Sequence, residues 1–274
     1  MTDRRFLRAA EGVAHDSLRG TLDGVRFTSG DWRQVAAPLA DLWVTPGGAR
    51  DRQLLPGARF CVLTTQGGWA FGYDGDDGYC GWVDAGLLAD AVLLTHWVAS
   101  AGTHLYPQPD IKVPERAALP MGARVCVTAF EGRFAATPDG FIPAAHLRAL
   151  GDWRDDPVAV ARDLLGTPYL WGGNTRAGID CSGLVQAAFR ACGRDCPPDG
   201  DLQSAMAGAE VMAGDEIAGD LVFWPGHVGI VAAPGRLIHA NAHHMAVEEE
   251  DLAGAEARIA AKGQRVTRRL RVAL

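Results

Sequence analysis

The sequence predicts an α+β chain: two small β-barrels followed by a domain of mixed helices and strands. Three observations carry that prediction. From about Trp32 to Leu150, short apolar runs are broken every few residues by Gly, Pro and Asp, the texture of many short strands. Within that stretch one pattern of residues occurs twice. Beyond Trp153 the apolar spacing changes to the period of an amphipathic helix. With 274 residues there is material for more than one buried core. Lys and Arg number 26 against 33 Asp and Glu, a formal net charge of −7, which argues against a broad nucleic-acid-binding surface. Apolar residues at 48% and charged residues at 22% exclude a largely disordered chain.

Residues 1–31 form an N-terminal extension, mixed and charged, with weak helical spacing at Phe6, Leu7, Ala10 and Val13; it is expected to pack on another part of the chain. No apolar run follows Arg4, Arg5 and Arg8, so this opening does not read as a signal peptide. The longest uncharged stretch, Ala91–Pro109, carries Thr, His, Ser, Gly and Pro and is unsuited to a bilayer. A cytoplasmic protein with no membrane partner is therefore expected, and its six cysteines read as buried or reactive thiols rather than a disulfide framework.

The repeat assigns residues 32–91 and 92–150 to one barrel each. Leu55-Pro56-Gly57-Ala58-Arg59-Phe60-Cys61-Val62 returns as Leu119-Pro120-Met121-Gly122-Ala123-Arg124-Val125-Cys126-Val127. An acidic-glycine turn and a strand follow each copy, Asp77-Gly78-Tyr79-Cys80-Gly81-Trp82-Val83 and Asp139-Gly140-Phe141-Ile142-Pro143. A period of about sixty residues is the size of one small barrel rather than a solenoid unit. Trp69, Tyr79 and Trp82 read by default as barrel aromatics.

Residues 151–274 form the last domain. Val158, Ala161, Leu164 and Leu165 share one helical face, with Asp156 as N-cap, Pro157 at the first position and Gly166 as the stop. A second helix follows Asp180: Leu184, Val185, Ala188, Phe189 and Cys192 line one side and Gly193 ends it. Cys181 thus sits at a helix N-terminus, where negative charge is favoured, so a lowered thiol pKa is expected. Its polar neighbours Asp180 and Ser182 argue against burial. Leu221–Trp224, His227–Val231 and Arg236–His239 read as strands joined by Pro225-Gly226 and Pro234-Gly235 turns. A hairpin there sets His227 and His239 opposite or one step off, so His239 can hold the ring of His227 as a nucleophile's base is held.

Two resemblances follow from these motifs. Asp77–Val83 resembles the bacterial SH3-like domain of cell-wall enzymes, clearly in the first copy and in degenerate form in the second. Pro168-Tyr169-Leu170-Trp171-Gly172-Gly173, Asp180-Cys181-Ser182-Gly183-Leu184-Val185, Gly219-Asp220-Leu221-Val222-Phe223-Trp224 with His227-Val228-Gly229-Ile230, and Ile238-His239-Ala240 together resemble the NlpC-type family of papain-like cell-wall peptidases. The resemblance implies Cys181 as nucleophile, His227 as base and His239 as its orienting partner. It also implies an amide of peptidoglycan as the scissile bond, commonly γ-D-glutamyl to a diamino acid. The subgroup with SH3-like domains trims peptides with a free N-terminal L-Ala. That subgroup implies amine contacts from Asp180, Ser182 and Tyr79, and a pocket lined by Tyr169 and Trp171. Relatives often carry Pro-Arg-Asp-Ser where this chain has Pro197-Pro198-Asp199-Gly200; Asp199 is retained as a substrate-binding candidate, while the missing Arg and Ser touch substrate preference.

The expected partner is a peptidoglycan-derived peptide, L-Ala-γ-D-Glu-diaminopimelate, with no cofactor, no metal and no nucleic acid. Other readings stay open: another cysteine acyl-hydrolase or amidase of cell-wall peptides, a non-catalytic peptide-binding module, or a metal site from Cys192, Cys196, His243 and His244. Glu248-Glu249-Glu250-Asp251 reads as a solvated acidic turn or helix start, and Arg265–Arg271 as a C-terminal edge strand.

Overall fold

In the computed structural model, which describes residues 3–272, both copies of the repeated pattern make the same turn. Gly57 (φ +80°) donates its N–H to the Val35 carbonyl, and Ala58 donates to Leu55. Gly122 (φ +84°) donates to Val98, and Ala123 to Pro120. A left-handed glycine is required twice because each turn needs φ in the region that side chains avoid. The chain divides between Leu150 and Gly151 into two compact units, with Ala99–Ala101 grouped with the second.

The first unit is built on seven strands: β1 Asp31–Val35, β2 Ala40–Trp43, β3 Arg50–Leu54, β4 Arg59–Gln66, β5 Trp69–Asp74, β6 Cys80–Asp84 and β7 Leu88–Asp90. Their order in the sheet is β7-β1-β4-β5-β6-β2-β3. Strand alternation sends Phe60, Tyr79 and Val83 to one buried cluster with Val35, Leu42 and Leu54, and Cys61, Cys80 and Trp82 to another. The N-terminal residues cover that second face, with Val13 inside its cluster. They do so without the suggested helix: Arg4–Phe6 is one 3₁₀ turn, and Ala9–Ala10, Val13–His15 and Arg26–Thr28 pair as short strands. Left-handed glycines at 12, 20 and 24 break any helix there. The rest of the unit has shorter strands in separate two- and three-stranded sheets. His96–Val98 pairs with Arg124–Val125 and Leu147–Ala149, Gly102–Leu105 with Ala117–Pro120, and Phe134–Thr137 with Ala129–Glu131 and Gly140–Pro143.

The second unit sets α1 (Pro157–Asp163), α2 (Cys181–Ala191), α3 (Gly200–Ser204) and α4 (Leu252–Ala260) with a six-stranded antiparallel sheet. Its strands are β8 Gly208–Glu210, β9 Leu221–Trp224, β10 His227–Ala233, β11 Arg236–Asn241, β12 Ala246–Asp251 and β13 Arg268–Val272, ordered β8-β13-β9-β10-β11-β12. The C-terminal strand β13 is therefore interior, not the expected edge. It tolerates its arginines because Arg268 pairs with Glu210, Arg269 with Glu216 and Glu256, and Arg271 with Asp220. Helix α1 is capped by Asp156, which accepts the N–H groups of Val158 and Ala159. Helix α2 stops at Gly193 (φ +69°), whose Cα lies so close under Trp153 that a Cβ would come within 2.3 Å of its ring. No helix among the described residues is long and apolar enough to cross a membrane.

Candidate active site

The site forms where the start of α2 meets β10 and β11, the strands against which α2 packs. Asp180 caps the helix, its Oδ1 accepting from Gly183 N (2.7 Å) and Ser182 Oγ (3.1 Å) and its Oδ2 from Gly172 N (2.8 Å). One carboxylate thus starts the helix and fastens the glycine loop before it. The loop admits no other residue at Gly173, where a Cβ would lie 2.5 Å from the Gly178 carbonyl, nor does α2 at Gly183, where one would lie 2.6 Å from the Gly173 carbonyl. Hydrogen bonds from Tyr169 N to Met245 O and from Val247 N to Thr167 O tie the loop to β12.

Cys181 occupies the first helical position, as expected, but is buried, with 8% of its surface exposed. Burial and, after it, the Asp180 charge push the thiol up to about 12, although backbone N–H groups of Val228 and Ser182 act in the opposite direction. The expected lowering fails because the apolar surroundings outweigh the helix terminus, so the resting form is the neutral thiol. The Val228 contact sets the sulfur beside the residue that follows His227.

His227 opens β10, and His239 lies on β11 with 0% exposure. They are neither opposite nor one step off. Ile230 pairs with Ile238, so His239 is level with Gly229 and His227 lies two residues further along. Side chains two apart share a face, and Gly229 leaves the space between them open: a Cβ there would stand 3.2 Å from that of His239. His227 Nε2 and His239 Nδ1 are 2.8 Å apart. Burial, then the neighbouring His239, draws His227 down to about 3, so its ring is neutral and able to take a proton.

The acidic run after His239 is strand β12 rather than a solvated turn. Glu250 Oε1 lies 2.7 Å from His239 Nε2, and Arg258 on α4 grips both carboxylate oxygens at 2.5 and 2.6 Å. Burial raises Glu250, but Arg258 and His239 outweigh it and hold the carboxyl at about 2. Glu250 and Arg258 are the site residues that motif reading misses. A diagonal step across the β11–β12 pair, in which Leu237 faces Glu250 and His239 faces Glu248, is the signal that finds Glu250.

The remaining candidates divide by position. Ser182 is buried, its carbonyl accepting Gln203 Nε2, which also donates to Pro197. Tyr169 is half-buried, its hydroxyl raised by burial and by the charges of Cys181 and Asp180. Asp199 precedes α3 and raises Asp180, whose own carboxyl burial already lifts. Trp171 is on the surface, 67% exposed. Tyr79 belongs to the first unit, buried at 2% exposure, its ring edge-on to Phe6. Cys192, Cys196, His243 and His244 are not gathered: no group of three His, Cys, Asp or Glu side chains among the described residues could hold a metal ion.

A cysteine at a helix start, packed on a sheet that carries two bonded histidines, is a papain-like arrangement. Residues 166–262 match the model of the NlpC/P60 family and residues 43–88 that of the bacterial dipeptidyl-peptidase Sh3 domain. Among curated relatives, the gamma-D-glutamyl-L-lysine dipeptidyl-peptidase of Bacillus subtilis (strain 168) is 34% identical over 121 residues, 41% of this chain and 39% of that protein. The protein of the same name from Bacillus cereus is 26% identical over 261 residues, covering 79% of this chain and 75% of its own length. A crystal structure of an NlpC/P60 family protein from Bacillus cereus shares the fold with a TM-score of 0.73 at 19% identity, over 88% of this chain and 99% of that one.

Proposed function

We propose that the protein is a cysteine peptidase that hydrolyses the γ-D-Glu–meso-diaminopimelate bond of L-Ala-γ-D-Glu-diaminopimelate peptides, releasing L-Ala-D-Glu. The observation that carries the reading is the neutral Cys181 thiol beside β10, with a neutral His227 braced by His239 on the same sheet. The names of two relatives, gamma-D-glutamyl-L-lysine dipeptidyl-peptidases, support the γ-D-glutamyl side of the bond; diaminopimelate in place of lysine follows from the resemblance in the motifs. His227 Nδ1 takes the thiol proton as sulfur attacks the γ-carbonyl carbon, forming a C–S bond and an oxyanion. The N-terminus of α2 favours the charge on both atoms. The imidazolium then protonates the leaving diaminopimelate nitrogen, the C–N bond breaks and a thioester remains. Water, deprotonated by His227, releases the acid, and the proton returns to sulfur.

Asp180, with Ser182 beside it and Asp199 near, makes an anionic end to the site that suits the substrate's free ammonium. Tyr169 and Trp171 flank it. Preference for a free amine suits peptides already released from the wall, hence a role in cytoplasmic peptide recycling; fractionation of the source cells tests that location. In this reading residues 151–274 carry the chemistry. Residues 32–91 and 92–150 are two SH3-like barrels, the second shortened, supported by the turn that Gly57 and Gly122 share.

The test is to incubate the protein with the tripeptide, its N-acetylated form and the lysine analogue, beside Cys181→Ala. We expect cleavage of the free tripeptide, at least about tenfold slower cleavage of the acetylated one, and none by the variant. Cleavage surviving in Cys181→Ala ends the mechanism, equal cleavage of both amine forms ends the free-amine claim, and preference for the lysine analogue reassigns the diamino acid.

A further inference from the structure

Two imidazoles in series have a problem that one does not. Each neutral ring carries one N–H and one lone pair, and the ring nitrogen that hydrogen-bonds to its neighbour must be a donor on one side and an acceptor on the other. Between His227 Nε2 and His239 Nδ1 either ring could donate. The two choices have opposite consequences. If His227 donates from Nε2, its Nδ1 is bare and can take the proton of Cys181. If His239 donates from Nδ1, the His227 proton sits on Nδ1 and the base is blocked. Nothing within the histidine pair decides between them.

The deciding group stands at the far end. Glu250 Oε1 is 2.7 Å from His239 Nε2, and Arg258 donates to Oε2 at 2.6 Å and to Oε1 at 2.5 Å. An ionised carboxylate only accepts, so His239 must hold its proton on Nε2 and leave Nδ1 bare. His227 must then donate from Nε2, which leaves its Nδ1 lone pair bare. We propose that Glu250, fixed by Arg258, is a positioning residue that sets the tautomers of His239 and His227 and so keeps His227 in its basic form toward Cys181. Arg258 belongs to α4 and Glu250 to β12, so the setting depends on the strand at the far side of β11 from His227 and on a helix outside the motifs. The motif residues themselves give no hint of it. The inference deepens the proposed function and rests on it for the kinetic readout alone, since the tautomers are read without substrate.

Two measurements test it. Long-range ¹⁵N–¹H correlation spectra of the histidine-labelled protein, with His239→Asn to assign signals, are expected to show both rings protonated on Nε2. A spectrum with His239 protonated on Nδ1 overturns the proposal, whatever the variants do. Glu250→Gln removes the charge and turns one of the two acceptors into a donor. Facing Arg258 with that donor leaves two donors opposed, and facing His239 with it forces the proton of His239 onto Nδ1. We expect kcat to fall about a hundredfold or more with KM within about twofold, the loss seen when a catalytic histidine is held in the wrong tautomer. The same variant is expected to show the altered ring signals and a Tm near that of the parent protein. A folded Glu250→Gln protein with parental kcat overturns the proposal. If the variant does not fold, the parental spectrum alone decides. Failure of the unaltered protein to cleave any peptide refutes the proposed function and leaves the tautomer result standing by itself.

Discussion

Asp180 acts on Cys181 in two opposed ways. As N-cap it starts the helix whose terminus favours a thiolate, and as a nearby carboxylate it makes that thiolate harder to form. Asparagine caps a helix about as well as aspartate and carries no charge. Asp180→Asn should therefore lower the thiol pKa. The rate of iodoacetamide alkylation at pH 7.5 should rise about threefold or more, with its pH profile shifted to lower pH. An unshifted profile shows that burial alone sets the thiol. The same logic gives a substrate ammonium at Asp180 a second use, since cancelling that charge eases deprotonation of the nucleophile. The position of Cys181 at the helix start was readable from Asp180, Gly193 and the apolar spacing between them. Its burial was not, because that depends on β10, about fifty residues away in the chain.

At the scale of elements, the β10–β11 hairpin was legible almost to the residue, because Pro225-Gly226 and Pro234-Gly235 punctuate it and the strands between are apolar. The offset of the two histidines was not, since an irregularity in pairing between Val231 and Ala233, which no residue type announces, moves His239 from the level of Ile230 to that of Gly229 and so onto the face of His227. Strand β12 was misread for a related reason: four consecutive acids look solvated until a partner strand supplies His239 and a helix supplies Arg258. Gly229 is the residue on which the hairpin depends. A methyl group there would meet Leu237 Cδ1 at 2.8 Å and His239 Cβ at 3.2 Å. Gly229→Ala should cost about 1–3 kcal/mol in thermal or urea unfolding and lower kcat by more than that loss explains, because His239 is the atom group displaced. A variant with unchanged kcat would show that the spacing of the rings is not critical.

For the molecule as a whole, the buried relay ties stability to pH, and the two ends of the relay titrate in separate windows. His227 has an ordinary pKa of 6.5 and is held at about 3, first by burial and then by His239; burial also lowers His239, against the pull of Glu250. Below pH 6.5 the unfolded chain takes up protons that the folded rings refuse, so folding weakens as pH falls from 6.5 toward 3. Glu250, ordinarily 4.5 and held at about 2, has its contribution intact above pH 4.5 and loses it only as pH falls from there to 2. The first loss of stability on acidification thus belongs to the histidines and precedes that of the carboxylate. From pH 6.5 to 4.5 the His227 contribution is on the order of 2–3 kcal/mol. Urea unfolding at half-unit steps of pH should show that decline in the parent protein and a flatter curve in His227→Gln over the same interval. Parallel curves would mean that His227 takes up its proton in the folded state at its ordinary pKa, which would also put the acid limb of kcat/KM near pH 6.5 instead of below it.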